Sequence, residues 1–187
     1  MGYTLLIFGG LLLLSVLPLA WRTLRTYLKF RGTRVITCPE THCPAAVEVD
    51  EKHAASSTWL RETELRLASC SRWPERQGCG QECLAQIEAA PEGCLVRNML
   101  VAWYRGSTCA FCHEAIPEIH WSDHNPAILS PEGTTIEWSD VRPEDLPDVF
   151  ATHRRVCWNC HISQSFRARF PGLAIERPER TAVHRAS

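Results

Sequence analysis

Only two of the 20 basic residues are lysine, and the formal net charge is -1. A field this weak gives no electrostatic footprint for nucleic acid. The excess of arginine over lysine reads as a compositional habit of the source rather than a binding task. No glycine-rich phosphate loop occurs, and no nucleophile stands at a readable spacing from a base, so catalysis finds no support among the motifs. Residues 1–21 contain no charged side chain at all.

That last absence is itself a signal. Tyr3 to Trp21 is an apolar run bracketed by aromatic residues, long enough to span a bilayer. A secretory signal peptide carries its positive charge ahead of the apolar core, and Pro18-Leu19-Ala20 is a poor cleavage site. Here Arg22, Arg25, Lys29, Arg31 and Arg34 come after the run. The positive-inside rule therefore places the N-terminus outside and the remainder on the cytoplasmic side. Without those five residues the chain has 15 basic against 21 acidic side chains, which again disfavours nucleic acid. Leu24, Tyr27, Leu28 and Phe30 interleave the basic stretch, as in a helix that continues along an anionic lipid surface or in a plain stop-transfer flank.

Cysteine is what the chain has in quantity: ten residues. Cys109-Ala-Phe-Cys112-His113 and Cys157-Trp-Asn-Cys160-His161 are two CxxC pairs, and thiolates three positions apart on a tight turn occupy adjacent corners of a metal tetrahedron. Between them, Ala127 to Ser130 and Thr134 to Trp138 flank Pro131-Glu132-Gly133 and predict a β-hairpin. A helix follows, capped by Ser139 or Asp140, with Pro143 in its first turn and Leu146, Val149 and Phe150 on its apolar face. His153, Arg154 and Arg155 fall near its end. The second pair opens another helix with Ile162, Phe166 and Phe170 spaced by four, stopped by Pro171-Gly172.

Over residues 109–170 this order resembles a zinc ribbon or treble clef with an insertion between its halves, the usual separation of the Cys pairs being about 15 to 20 residues. The resemblance implies one closed, structural zinc site made by Cys109, Cys112, Cys157 and Cys160. A rival reading is covalent haem. Both pairs are followed by histidine, and CxxCH is the attachment signature of c-type haem. A dihaem electron carrier would use Cys109, Cys112, His113, Cys157, Cys160 and His161, with second axial ligands drawn from His42, His53, His120, His124, His153, His184 and Met99. Haem attachment is an outside-face process, so a cytoplasmic domain favours zinc, and a reducing compartment disfavours disulfides.

An upstream lobe precedes these pairs. Val35 to Thr37 and Ala46 to Val49 predict strands joined through Cys38-Pro-Glu-Thr-His-Cys43-Pro44, residues 51–58 read as a weak link, and Glu62 to Ala68 alternates like an edge strand. Gly78 and Gly80 flank Cys79, and a helix there would put Cys79 and Cys83 on one face. Cys38, Cys70, Cys79 and Cys83 are thus a candidate second metal site, with Cys43 the substitute for Cys38 and an iron-sulfur cluster the alternative occupant. A redox or nucleophilic role for Cys79 and Cys83 ranks lower, because the spacing is not the thioredoxin type. Cys94 reads as a core residue beside an apolar helix. His120 and His124 can hydrogen-bond a carboxylate such as Asp123 as readily as a metal.

The expected protein is α+β: a single transmembrane helix and basic juxtamembrane segment (1–34), a cysteine-rich lobe (35–106) and a zinc-ribbon-like lobe with a short tail (107–187). It is a membrane-anchored zinc-binding accessory or docking protein whose partners are the bilayer and a membrane protein. Trp73, Trp121 and Trp138 are candidate contact residues.

Overall fold

A computed structural model describes residues 2–58, 63–73, 75, 78–121 and 124–173, the side chains of 2–13 and of Ser15 excepted. Asp123 and His184 lie outside the described residues. The chain divides into two compact units: Met1–Arg105 with Ser139–Thr152, and Gly106–Trp138 with His153–Ser187. The segment between the CxxC pairs is therefore split, its helix belonging to the first unit.

The first unit opens with α1 (Gly2–Phe30), a 29-residue helix containing Pro18. Among the described residues no helix is long and apolar enough to cross a membrane; most of the run from Tyr3 to Trp21 falls on residues whose side chains are not described. Downstream, Trp21, Leu24 and Leu28 are exposed while Phe30 is buried. The turn after α1 is closed by Arg34, which is not a lipid-facing charge as its place in the basic stretch suggested. It is fully buried and donates to the carbonyls of Lys29 (2.6 Å), Phe30 (2.6 Å), Gly32 (2.8 Å) and Pro91 (3.3 Å). A planar guanidinium has enough donors to satisfy these orphan helix-end acceptors, and its charge suits the negative end of the helix dipole.

β1 (Arg34–Thr37), β2 (Pro44–Val49) and β3 (Leu67–Cys70) form an antiparallel sheet in that order, with Val35 opposite Ala46 and Val47 opposite Cys70. Ala45, Val47 and Val49 alternate inward along β2 and meet Phe30, Ile36, Ala54, Leu67, Cys83 and Ile87 in one core. Between β2 and β3 the expected weak link is instead α2 (Glu51–Ser57), which packs on α1. Its signal is Asp50, whose carboxylate accepts the His53 N–H at 2.9 Å as an N-cap. Of the expected edge strand, Glu62 lies outside the described residues, and the described part pairs only at its C-terminal end, as β3.

Helices α3 (Leu84–Ala89) and α4 (Val96–Tyr104) follow. Cys83 is the N-cap of α3 and Cys79 lies in the turn before it, so the two do not share a helix face. Neither Gly78 nor Gly80 supplies the left-handed residue of that turn. Gln81 does, at φ 55°, held because its side-chain carbonyl accepts the Leu67 N–H at 3.0 Å. Cys94 is half-buried against the core, as expected, with its thiol 3.7 Å from the Pro91 carbonyl. The 3₁₀ turn Pro143–Asp145 and α5 (Leu146–Thr152) complete the unit, and Phe150 stacks on Trp103 with centroids 5.2 Å apart. The helix thus starts later than Ser139 or Asp140 would cap it. Pro143 occupies the first position of the 3₁₀ turn.

In the second unit β4 (Ala127–Leu129) is flanked by β5 (Thr135–Ile136) and β6 (Arg154–Val156), all antiparallel. All three β4 residues are buried, as befits a central strand. The hairpin turn forms as expected around Gly133 at φ 87°, where Ser130 N–H donates to Thr134 O at 2.9 Å. Arg154 and Arg155, expected at a helix end, are strand residues opposite Leu129 and Ile128. α6 (Trp158–Arg169) runs from the second CxxC pair to Phe170.

Replacing Asp50 by alanine removes the α2 cap and should lower stability by about 1 kcal/mol. The Arg66 guanidinium, then the His53 N–H, hold the Asp50 carboxyl below its usual range. A depressed carboxylate pKa stabilises the fold above the unfolded value of about 3.9 and loses that contribution as pH falls through the folded value. Thermal unfolding of wild type and Asp50→Ala should therefore differ at pH 7 and converge in acid; a constant difference would remove the ionised cap from the account.

Candidate metal centre

Each half of the site is set by its own local structure. Cys109 is fully buried, and its loop is closed by Cys109 N–H to Glu114 O at 2.9 Å and His113 N–H to Cys109 O at 3.0 Å. His113 takes φ 59° to make that turn. The Cys109 sulfur accepts the N–H groups of Phe111 at 3.5 Å and Cys157 at 3.4 Å. Cys157 caps α6, which places Cys160 in its first turn. The pairing of Ala110 N–H with Arg155 O at 2.8 Å ties the first loop to β6 immediately before Cys157.

The result is that Cys109, Cys112, Cys157 and Cys160 bring one sulfur each to within 4.8 Å of all the others. The Cys112 and Cys157 sulfurs are 3.8 Å apart. That is far longer than a disulfide of about 2.05 Å, and all ten cysteines are free. Four thiolates at about 2.3 Å from a zinc ion have edges of roughly 3.8 Å. The group can hold a metal such as zinc. No family model, curated protein or solved structure matches this chain.

Its electrostatics point the same way. Burial opposes ionisation of Cys109, yet the N–H groups of Cys112, Cys157 and Phe111 outweigh it and bring the thiol down to about 6. Burial, followed by the neighbouring sulfurs, pushes Cys160 far above the ordinary thiol range, and burial raises Cys157 as well. One thiolate is stabilised in advance while others resist ionising beside it, an arrangement that a divalent cation relieves.

The histidines after each pair differ. His113 is exposed. His161 is buried, with Nε2 3.4 Å from a Glu137 carboxylate oxygen and Nδ1 3.5 Å from the Ser165 hydroxyl. It is a structural residue of the second unit rather than the bystander that a pure Cys₄ site implies. His124 stacks on Trp158 at 4.8 Å, and with His120 it lines a cavity of about 300 Å³ beside Cys157. His53 lies 3.6 Å from Glu64. Trp73, Trp121 and Trp138 are half-buried. Among the described residues beyond α1, the exposed large apolar side chains are instead Phe111, Ile162, Phe166 and Phe170.

Cys38, Cys70, Cys79 and Cys83 line a common cavity, although among the described residues only the downstream quartet has its donor atoms drawn into one close group.

Changing Cys112 to serine should remove one metal ion per chain. Structural zinc contributes about 10 kcal/mol or more of apparent binding energy to small domains, so β4 and α6 should lose amide protection together. Metal analysis and hydrogen exchange check this; retained metal with intact protection would make the fourth thiolate dispensable.

Proposed function

We propose that this chain is a membrane-anchored zinc-binding accessory or docking protein, in which Cys109, Cys112, Cys157 and Cys160 hold a structural zinc ion. The observation that carries the reading is the convergence of four sulfurs within 4.8 Å. Four protein ligands complete a tetrahedron and leave no open position for a reacting water, which suits a staple rather than a catalyst. Two separately attached haems would need each Cys pair for its own porphyrin, whereas here the pairs share one centre.

The anchor rests on the uncharged, apolar residues 1–21 together with the 29 residues of α1, a length that exceeds the roughly 20 residues needed to span. The basic residues that follow orient the rest of the chain to the cytoplasmic side. The partner is a membrane protein, and the apolar stripe of Ile162 and Phe166 on α6 with Phe170 at its C-cap, all exposed, supplies contact surface that the half-buried tryptophans do not.

The full chain purified in detergent should be colourless and contain zinc. His113→Ala should keep both metal and fold. His161→Ala should keep the metal while losing about 2 kcal/mol of stability through the hydrogen bond to Glu137. A red protein with a c-type pyridine spectrum and covalent mass on the CxxC pairs would overturn the zinc assignment.

For the orientation, alkaline phosphatase fused after Ser187 should be inactive and a cytoplasmic reporter active. The opposite pattern would sink the cytoplasmic placement.

A further inference from the structure

Two loops of this chain share a design. In the loop that positions Cys109, the residue's N–H donates to the carbonyl five positions on, and its carbonyl accepts the N–H of a histidine four positions on, at 2.9 and 3.0 Å. The loop between β1 and β2 repeats this: Cys38 N–H donates to Cys43 O at 2.9 Å and His42 N–H donates to Cys38 O at 2.8 Å. His113 and His42 both take the left-handed conformation, at φ 59° and 55°. A bulky residue at positive φ is uncommon, so its occurrence at the same step of both loops marks one backbone form.

The sulfurs are cradled alike. Cys109 accepts from the N–H groups of Phe111 and Cys112, two and three positions on. The Cys38 sulfur takes hydrogen bonds from the Thr41 hydroxyl and N–H and from the Glu40 N–H, the same two steps. The difference is that Thr41 stands where the downstream loop has Cys112. Its hydroxyl oxygen is buried with no other hydrogen-bond partner among the described residues. A loop of this form presents a preorganised sulfur to a cation; here it cradles Cys38 alone.

The missing ligands are at hand. Cys38, Cys70, Cys79 and Cys83 all line one cavity of about 90 Å³, on the core side of the β1–β2–β3 sheet. Cys38 comes from the loop, Cys70 ends β3, Cys79 lies in the turn before α3, and Cys83 caps that helix. We propose that these four cysteines form a second thiolate-bound zinc site, built on the β1–β2 loop as the counterpart of the loop at Cys109. It differs from the first in gathering its ligands from four separate places, so the sulfurs close up on binding.

Zinc analysis of the full chain in detergent tests this, because the two sites fail independently. Wild type should contain two zinc ions per chain. Cys79→Ser with Cys83→Ser should leave one, and Cys112→Ser should leave the other. As a check that does not depend on a variant folding, thiol alkylation of the native wild type should spare Cys38, Cys70, Cys79 and Cys83 until a chelator is added, while the exposed Cys43 reacts at once. One zinc per chain with those four thiols freely alkylated, or visible absorption of an iron-sulfur cluster, would overturn the proposal.

Discussion

Four thiols cannot be crowded within 4.8 Å as four anions unless a cation sits among them, and the second unit depends on that constraint. Its strands are two or three residues long, too short to hold register through apolar contact alone. The Cys109 loop is joined to β6 by a backbone bond, β6 is joined to β4, and α6 starts at Cys157. A metal at the sulfurs would thus fix the two ends of the unit to one point, and the sheet between them would inherit its alignment. Small lobes that lack apolar volume commonly use such a staple.

The first unit solves the same problem differently. It has a continuous core in which Val47, Val49, Ala54 and Ile87 are almost wholly buried, with α2 against α1 and α5 brought in from between the CxxC pairs. A metal there would add to a structure that already has a core.

The CxxC pairs were legible because metal chemistry imposes a spacing that survives any surroundings. So was the hairpin at Pro131-Glu132-Gly133, since turn preferences are local. What escaped was what depends on distant partners. α2 looked like a weak link because Ala and Ser carry little amphipathic contrast; its face exists only against α1. Arg154 and Arg155 looked like a helix end because their charges suit one, but β4 needed a second edge. Leu146, Val149 and Phe150 announced a helix without saying which unit would bury them. The spacing Cys-x-x-x-His occurs at Cys38, Cys109 and Cys157, yet only the first two take the left-handed loop form while the third opens a helix, so the kinship of the two loops was not readable from that spacing.

Arg34 has a mechanical consequence. Its guanidinium rivets the last carbonyls of α1 to the start of the sheet, and the chain between them is only three residues long. There is no tether to absorb rotation. Were α1 the proposed anchor, the sheet would have little freedom to swivel: a tilt or roll of the helix would reach it almost undamped, so its bearing as well as its address would follow the helix.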